Sequence, residues 1–336
     1  MASGPPADNM LHGLDQRTAS IYAPIQDGLA RVEEKLRSLA ETEISPVQPL
    51  LQYVTDAGGK RVRPAVTLLA AQFHPHDEAR PIIMASALEL LHLATLIHDD
   101  TVDNSPMRRG RATVSSTWSP HVAVLFGDYV FATSATFVCD TQNIRVIRRF
   151  SETIMELASG QLMEYFTAFD AVQARDLYDD RIYRKTASLF CTASESGAVL
   201  GEAPEREVQA LRDYGYNIGM AFQVSDDLLD FQGDASDLGK PVGSDLLNGV
   251  LTLPTILMME RYPNDNLVQA LFQDPANEVK LQKVLEVIND STILPDCEQV
   301  VIDYSDKAML ALQVLPDCDP KRSLLDLAEY VIDRRR

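Results

Sequence analysis

The chain has 336 residues, 46% of them hydrophobic, and a formal net charge of −19. That apolar fraction is ample for a core, and a helical chain of this length can share a single one. The negative balance argues against a nucleic-acid partner and confines any anionic substrate to a local cationic patch or to bound metal.

Residues 1–14 lack the basic start and apolar stretch of a signal peptide and read as a frayed tail, which leaves 15–336 as one all-helical domain. From Ile21 to Leu39 apolar residues recur at helical spacing, at Ile25, Leu29, Val32, Leu36 and Leu39. Pro46 and Pro49 punctuate, a helix starts at Leu50, and Gly58-Gly59 stops it. Lys60, Arg61 and Arg63 follow, with Pro64 in the first turn of the next helix. Cations and backbone N–H groups gathered at a helix start make an anion site, although a plain surface basic cluster would look the same. After a His74-Pro75-His76 turn comes the stretch Leu88 to Asp103. It is an apolar run carrying His92 that passes straight into His98-Asp99-Asp100-Thr101-Val102-Asp103, with no Gly or Pro until Pro106. On a helix, Asp99 and Asp103 share a face about 5–6 Å apart, and Asp100 points roughly 100° away. Stacked carboxylates at the end of a buried helix repel each other and cost desolvation energy, so a cation is expected there; oxygen-only ligands suit Mg²⁺.

A basic loop with Arg108, Arg109 and Arg111 comes next; arginine forks fit phosphate oxygens and could equally pair with the neighbouring aspartates. Val122 to Phe137 is an apolar helix interrupted by Gly127-Asp128, Thr153 to Phe169 is another, and Arg181 to Phe190 sets Lys185 and Thr186 ahead of an apolar segment. In the helix Tyr214 to Phe231, Gln223 is followed by Asp226-Asp227-Leu228-Leu229-Asp230, a second copy of the Asp-Asp-x-x-Asp spacing. One triplet alone reads as a solvated helix face. Two, each on an apolar helix, could clamp a polyphosphate through several Mg²⁺ ions across a helical bundle. The polar loop from Gly233 to Gly243 carries Lys240 and could close over bound diphosphate. Beyond Thr252 amphipathic segments are broken by Pro263, Pro275, Pro295 and Pro316, and the chain ends Arg334-Arg335-Arg336. Strand signals are nearly absent, which predicts an all-α bundle with a central cavity. The four cysteines, Cys139, Cys191, Cys297 and Cys318, form no CxxC pair, a usage that fits a reducing, cytoplasmic compartment and no zinc site. No run reaches the ~20 apolar residues of a membrane span, so no membrane anchor is expected.

The blocks Gly58 to Pro64, His98 to Gly110, Lys185 to Phe190, Gln223 with the second triplet, and Gly239 to Asp245 occur in this order over most of the chain. In that order they resemble the trans (E-type) polyprenyl diphosphate synthases. The resemblance implies the isoprenoid synthase bundle, usually a homodimer. It also implies Mg²⁺-dependent condensation of isopentenyl diphosphate with an allylic diphosphate primer. It assigns Mg²⁺ to Asp99, Asp103 and Asp226. Isopentenyl diphosphate falls to Lys60, Arg63, His92 and Arg109, and the allylic diphosphate to Arg108, Lys185 and Thr186, with Gln223 and Lys240 also at the site. Many members carry a further Lys shortly after the last block, where this chain reads Asn248-Gly249-Val250, so that phosphate contact is in doubt.

In the implied reaction, metal and cations neutralise the departing diphosphate, the isopentenyl double bond attacks the allylic cation, and diphosphate accepts the proton. Ala94 and Thr95 lie five and four positions before Asp99, where a bulky ring in the family stops the product early. Both are small here, so the expected product is longer than farnesyl and than geranylgeranyl. The alternatives are a shorter-chain farnesyl or geranylgeranyl synthase, a class I terpene cyclase, and a non-catalytic subunit of a heteromeric synthase. The all-Asp second motif and the second set of cations disfavour the cyclase, and two intact acidic motifs disfavour the subunit.

Overall fold

The structure, a computed structural model, describes residues 15–108, 110–232, 242–289 and 291–333. Arg109, Lys240, the terminal arginines and the tail 1–14 lie outside the described residues. What is described is almost wholly helical, and the chain divides into two compact units.

The first unit comprises the described parts of Met1–Phe150, Thr192–Arg212 and Gln313–Asp326. It begins with α1 (Gln16–Tyr22), α2 (Gln26–Ser38) and α3 (Gln48–Thr55). Pro24 sits in a 3₁₀ turn between the first two and splits the single periodic run expected there. From Pro64 onward α4 (Val62–Ala71) is buried on every side, as its unbroken apolar sequence requires. The longest helix of this unit is α5 (Ala79–Val102). It ends where Asp103 returns its N–H to the Asp99 carbonyl at 2.8 Å and Asn104 turns left-handed at φ +52°. Met107–Arg108 and Arg111–Ala112 then pair as a two-residue antiparallel hairpin, a strand element too short for periodicity to reveal. After α6 (Val114–Thr117), Ser119 caps α7 (Pro120–Asp140), which runs unbroken through Gly127-Asp128 and packs along α5.

The apolar content of α5 and α7 exceeds what the sequence reading allowed. Both helices are long and apolar enough to cross a membrane by length and composition. The apolar stretch of α5 is 72% buried within the protein, so its apolarity is that of a core helix. The apolar stretch of α7 is 33% buried.

The second unit comprises the described parts of Ser151–Cys191, Asp213–Leu312 and Leu327–Arg336. It receives most of α8 (Ile144–Thr167), then α9 (Arg175–Ile182) and a single π-helical turn, Tyr183–Ala187, leading into α10 (Ser188–Leu200). Most of α11 (Glu205–Gln232) belongs here too, and so do α12 (Ser244–Leu247), α13 (Leu253–Arg261), α14 (Leu267–Phe272), α15 (Glu278–Asn289) and α16 (Ile293–Ala311). The last helix, α17 (Asp319–Asp333), closes the chain. Tyr214, Ile218, Ala221, Val224 and Leu228 form the buried face of α11, and Phe222 meets Phe190 with ring centroids 5.4 Å apart. Gly219 is what allows the close approach: a Cβ there would lie 2.6 Å from the Ala187 Cα at the end of the π turn.

Candidate active site

On α5 the helical phase separates the three aspartates as the spacing predicts. Asp99 is half-buried, Asp103 is exposed as the C-cap, and Asp100 is buried. Arg108 Nε donates to Asp100 Oδ1 at 2.7 Å. Burial pushes the Asp100 carboxyl up and the Arg108 charge works against that shift. Of the two readings of the basic loop, the ion pair is therefore present, but it occupies Nε alone. The terminal amino groups of the Arg108 fork have no protein partner among the described residues and remain able to meet phosphate oxygens. His98 turns toward α7, with Nε2 3.2 Å from the Val124 carbonyl oxygen and 3.5 Å from Asp128. Ala94 is buried, and Thr95 is half-buried with its hydroxyl bonded to the His92 carbonyl at 2.8 Å. Among the bulky apolar residues of α5 and α7, Leu91 and Phe126 are buried, Phe131 is half-buried, and Phe137 lies under Lys35, 5.1 Å from the ring centroid.

Lys60 and Arg63 stand at the start of α4. Gly58 has φ +62°, left-handed backbone that glycine adopts without strain. Lys60 is exposed, Arg63 is half-buried, and Arg61 between them is buried at φ +49°. Left-handed backbone at a non-glycine residue costs about 1–2 kcal/mol, and such strain concentrates at functional sites. The cluster of three cations expected here is therefore a cluster of two, because the Arg61 side chain points into the protein. His92 is half-buried on α5, three residues after the buried Glu89.

In the second unit, Lys185 and Thr186 sit in the π turn. Such one-turn widenings recur at functional sites because they re-aim side chains out of helical phase. Lys185 Nζ bonds Glu164 Oε1 at 2.5 Å, which draws Glu164 into the site. Thr186 Oγ1 donates to Gln223 Oε1 at 2.5 Å, Gln223 Nε2 donates to Asp227 Oδ1 at 2.8 Å, and the Tyr178 hydroxyl donates to Asp227 Oδ2 at 2.6 Å. Burial pushes the Asp227 carboxyl up to about 7, against the pull of the Tyr178 and Gln223 hydrogen bonds; burial and the Asp227 charge push the Tyr178 phenol up as well. Asp226, one residue earlier, is half-buried on the adjacent face. Asp230 is buried and holds the chain that returns to α12: Ser244 Oγ donates to it at 2.9 Å and the Asp245 N–H at 3.1 Å.

The structure thus groups Lys60, Arg63, His92, Ala94, Thr95, Asp99, Asp103 and Arg108 in the first unit. Lys185, Thr186, Gln223 and Asp226 fall in the second. In each acidic triplet the middle aspartate is buried and hydrogen-bonded, and the leading one stays accessible. Among the described residues no three carboxylates, imidazoles or thiols converge as a closed cage. The accessible carboxylates Asp99, Asp103 and Asp226 are hard oxygen donors of the kind that suit a divalent cation which keeps water in its shell.

A family model described as polyprenyl synthetase matches residues 45–288. The chain belongs to the polyprenyl synthetase family. It is 36% identical over 315 residues to the heptaprenyl diphosphate synthase component 2 of Geobacillus stearothermophilus, covering 93% of this chain and 97% of that protein. Identity to the octaprenyl diphosphate synthase of Escherichia coli (strain K12) is 32% over 328 residues, covering 97% and 99%. A crystal structure of a polyprenyl synthase from Caulobacter crescentus CB15, complexed with calcium and isoprenyl diphosphate, matches with a TM-score of 0.89 at 31% identity, covering 95% of this chain and 98% of that one. The fold of this polyprenyl synthetase is accordingly the all-α isoprenoid synthase fold. Sequence reading missed Tyr178, Glu33 and the inward turn of Arg61. The one available signal was Glu89, a lone carboxylate in the apolar run before His92 that a core would hold only against a buried cation.

Proposed function

We propose that the chain is a trans-polyprenyl diphosphate synthase. It condenses isopentenyl diphosphate with an allylic diphosphate in a Mg²⁺-dependent, head-to-tail elongation to a product longer than geranylgeranyl diphosphate. The observation that carries this is the shared geometry of the two acidic motifs: leading aspartates accessible, middle aspartates locked. An accessible carboxylate beside a locked one is what each motif needs to take a divalent ion and, through it, a phosphate oxygen. Asp99, Asp103 and Asp226 would hold Mg²⁺, which when bound neutralises the departing diphosphate. Arg108, anchored by Asp100, and Lys185 with Thr186 orient the allylic diphosphate, and Lys240 completes that set. Lys60, Arg63, His92 and Arg109 hold isopentenyl diphosphate so that its double bond meets the allylic carbon. The apolar walls of α5 and α7 exclude water from the developing cation. Ala94 and Thr95 leave room for the growing chain.

The names of the relatives, which are heptaprenyl and octaprenyl synthases, support the long product. We place the enzyme in the cytoplasm, because four scattered cysteines with no CxxC pair suit a reducing compartment. We further propose a homodimer formed through the exposed apolar stripe Met155, Leu162 and Phe166 of α8.

The test is purified protein with Mg²⁺, radiolabelled isopentenyl diphosphate and a farnesyl or geranylgeranyl primer. A polyprenyl diphosphate longer than geranylgeranyl is expected. Chelation of the metal should abolish it, and Asp99→Asn should lower kcat by about 100-fold or more. A hydrocarbon made from allylic diphosphate alone would instead identify a cyclase. Silence at high protein concentration would identify a subunit that needs a second component, a reading for which the name of the Geobacillus relative is the specific prompt.

A further inference from the structure

The strongest feature outside the assigned residues lies under the start of α4. Arg61 is 5% exposed, and its guanidinium is divided between two helices: Nε donates to Glu33 Oε1 of α2 at 2.5 Å and Nη1 to Glu89 Oε1 of α5 at 2.6 Å. Both carboxylates are themselves nearly enclosed, at 11% and 7% side-chain exposure. Burial works against the Arg61 charge and is outweighed by Glu89 and Glu33, so its pKa is raised further. Immediately before it, the buried Tyr22 hydroxyl donates to the Lys60 carbonyl at 2.8 Å. The backbone on either side of the Lys60–Arg61 peptide is therefore held, from α1 by a hydroxyl and from α2 and α5 by an ion triad.

An apolar filling of the same volume would typically join these helices as well or better than three buried charges. What it could not do is fix a direction. A planar fork bonded on two sides sets the rotation of residue 61, and with it the direction in which the exposed Lys60 and the half-buried Arg63 leave the start of α4. Glu89 also ties the clamp to the helical turn that carries His92.

We propose that Arg61, with Glu33, Glu89 and Tyr22, is a positioning clamp for the isopentenyl diphosphate subsite. It sets the approach of Lys60, Arg63 and His92 without touching substrate. This rests on the reading that Lys60 and Arg63 bind that diphosphate. The clamp's effect belongs in affinity for isopentenyl diphosphate and not in the bond-breaking step at the allylic carbon.

The experiment is calorimetric titration of the full chain with isopentenyl diphosphate alone, which does not react without a primer, together with steady-state kinetics for both substrates. Arg61→Lys keeps the charge and loses the fork. It should weaken isopentenyl diphosphate binding about tenfold, the size expected for one charge-assisted hydrogen bond, with kcat and the KM for the allylic primer within twofold of the parent. Tyr22→Phe, which removes one hydroxyl from an otherwise intact core, should give a smaller loss of about threefold in the same parameter only. Should Arg61→Lys not fold, Tyr22→Phe and Glu33→Gln decide the matter. Lys60→Ala is the control. If it leaves isopentenyl diphosphate binding unchanged, the subsite reading itself is wrong and the clamp falls with it. If Lys60→Ala weakens binding while Arg61→Lys, Tyr22→Phe and Glu33→Gln do not, or lower every kinetic parameter together, the clamp alone is overturned.

Discussion

Asp227 shows how far one residue can depart from its neighbour. Asp226 and Asp227 are adjacent on α11, yet the first remains accessible and the second is sealed against Tyr178 and Gln223. An aspartate in an unfolded chain loses its proton near pH 3.9, whereas burial holds that of Asp227 to about 7. Between those values the folded chain binds a proton that the unfolded chain has released, so folding stability falls as pH rises through that window and levels off above it. In metal-free protein the stability of the parent relative to Asp227→Asn should therefore decline from pH 4 to 7, by at most about 1.4 kcal/mol per pH unit. Denaturant titrations at several pH values check this, and a difference that is flat or that grows with pH refutes it. Ala94 supports a second prediction at this scale. It is buried on α5, so Ala94→Phe must either find tunnel space or overpack the core. If the product chain passes here, mass spectrometry will show a shorter polyprenyl diphosphate from a variant of near-parental melting temperature. An unchanged product length removes Ala94 from the tunnel wall.

At the scale of elements, the residues proposed for the site gather where regular helix stops. Asp99 and Asp103 straddle the end of α5, Lys60 and Arg63 flank the start of α4, and Lys185 and Thr186 ride on a π turn. Periodicity locates helices well and their irregular ends poorly, so Asp99, Asp103, Lys60 and Arg63 are legible as charges set at helix ends, whereas Lys185 and Thr186 rest on the motif resemblance. The helix faces make their own prediction. Met155, Leu162 and Phe166 lie at i, i+7 and i+11 on α8 and are all exposed, a stripe that a second copy of the chain would cover. Leu162→Glu should shift the mass measured by light scattering from dimer toward monomer. A parent that is already monomeric, or a variant that remains dimeric, ends that proposal.

For the whole molecule, much was legible before any coordinates. Helical periodicity, the rarity of strand signals and the twice-repeated Asp-Asp-x-x-Asp spacing led to an all-α prenyl synthase, and the family and fold follow that expectation. The rotation of Asp100 away from Asp99 was equally accessible, since a helix turns about 100° per residue whatever surrounds it. Local geometry is a property of neighbours in the chain and needs no tertiary structure to declare itself. Partners are different. Tyr178 reaches Asp227 across 49 positions, and Arg61 reaches Glu33 and Glu89 across 28 each. A buried charge must find some partner, because leaving it unpaired costs several kcal/mol. Which partner it finds is decided by how the helices pack. That is why Arg61 looked like one more surface cation in the sequence and became an internal clamp only once α2, α4 and α5 were brought together.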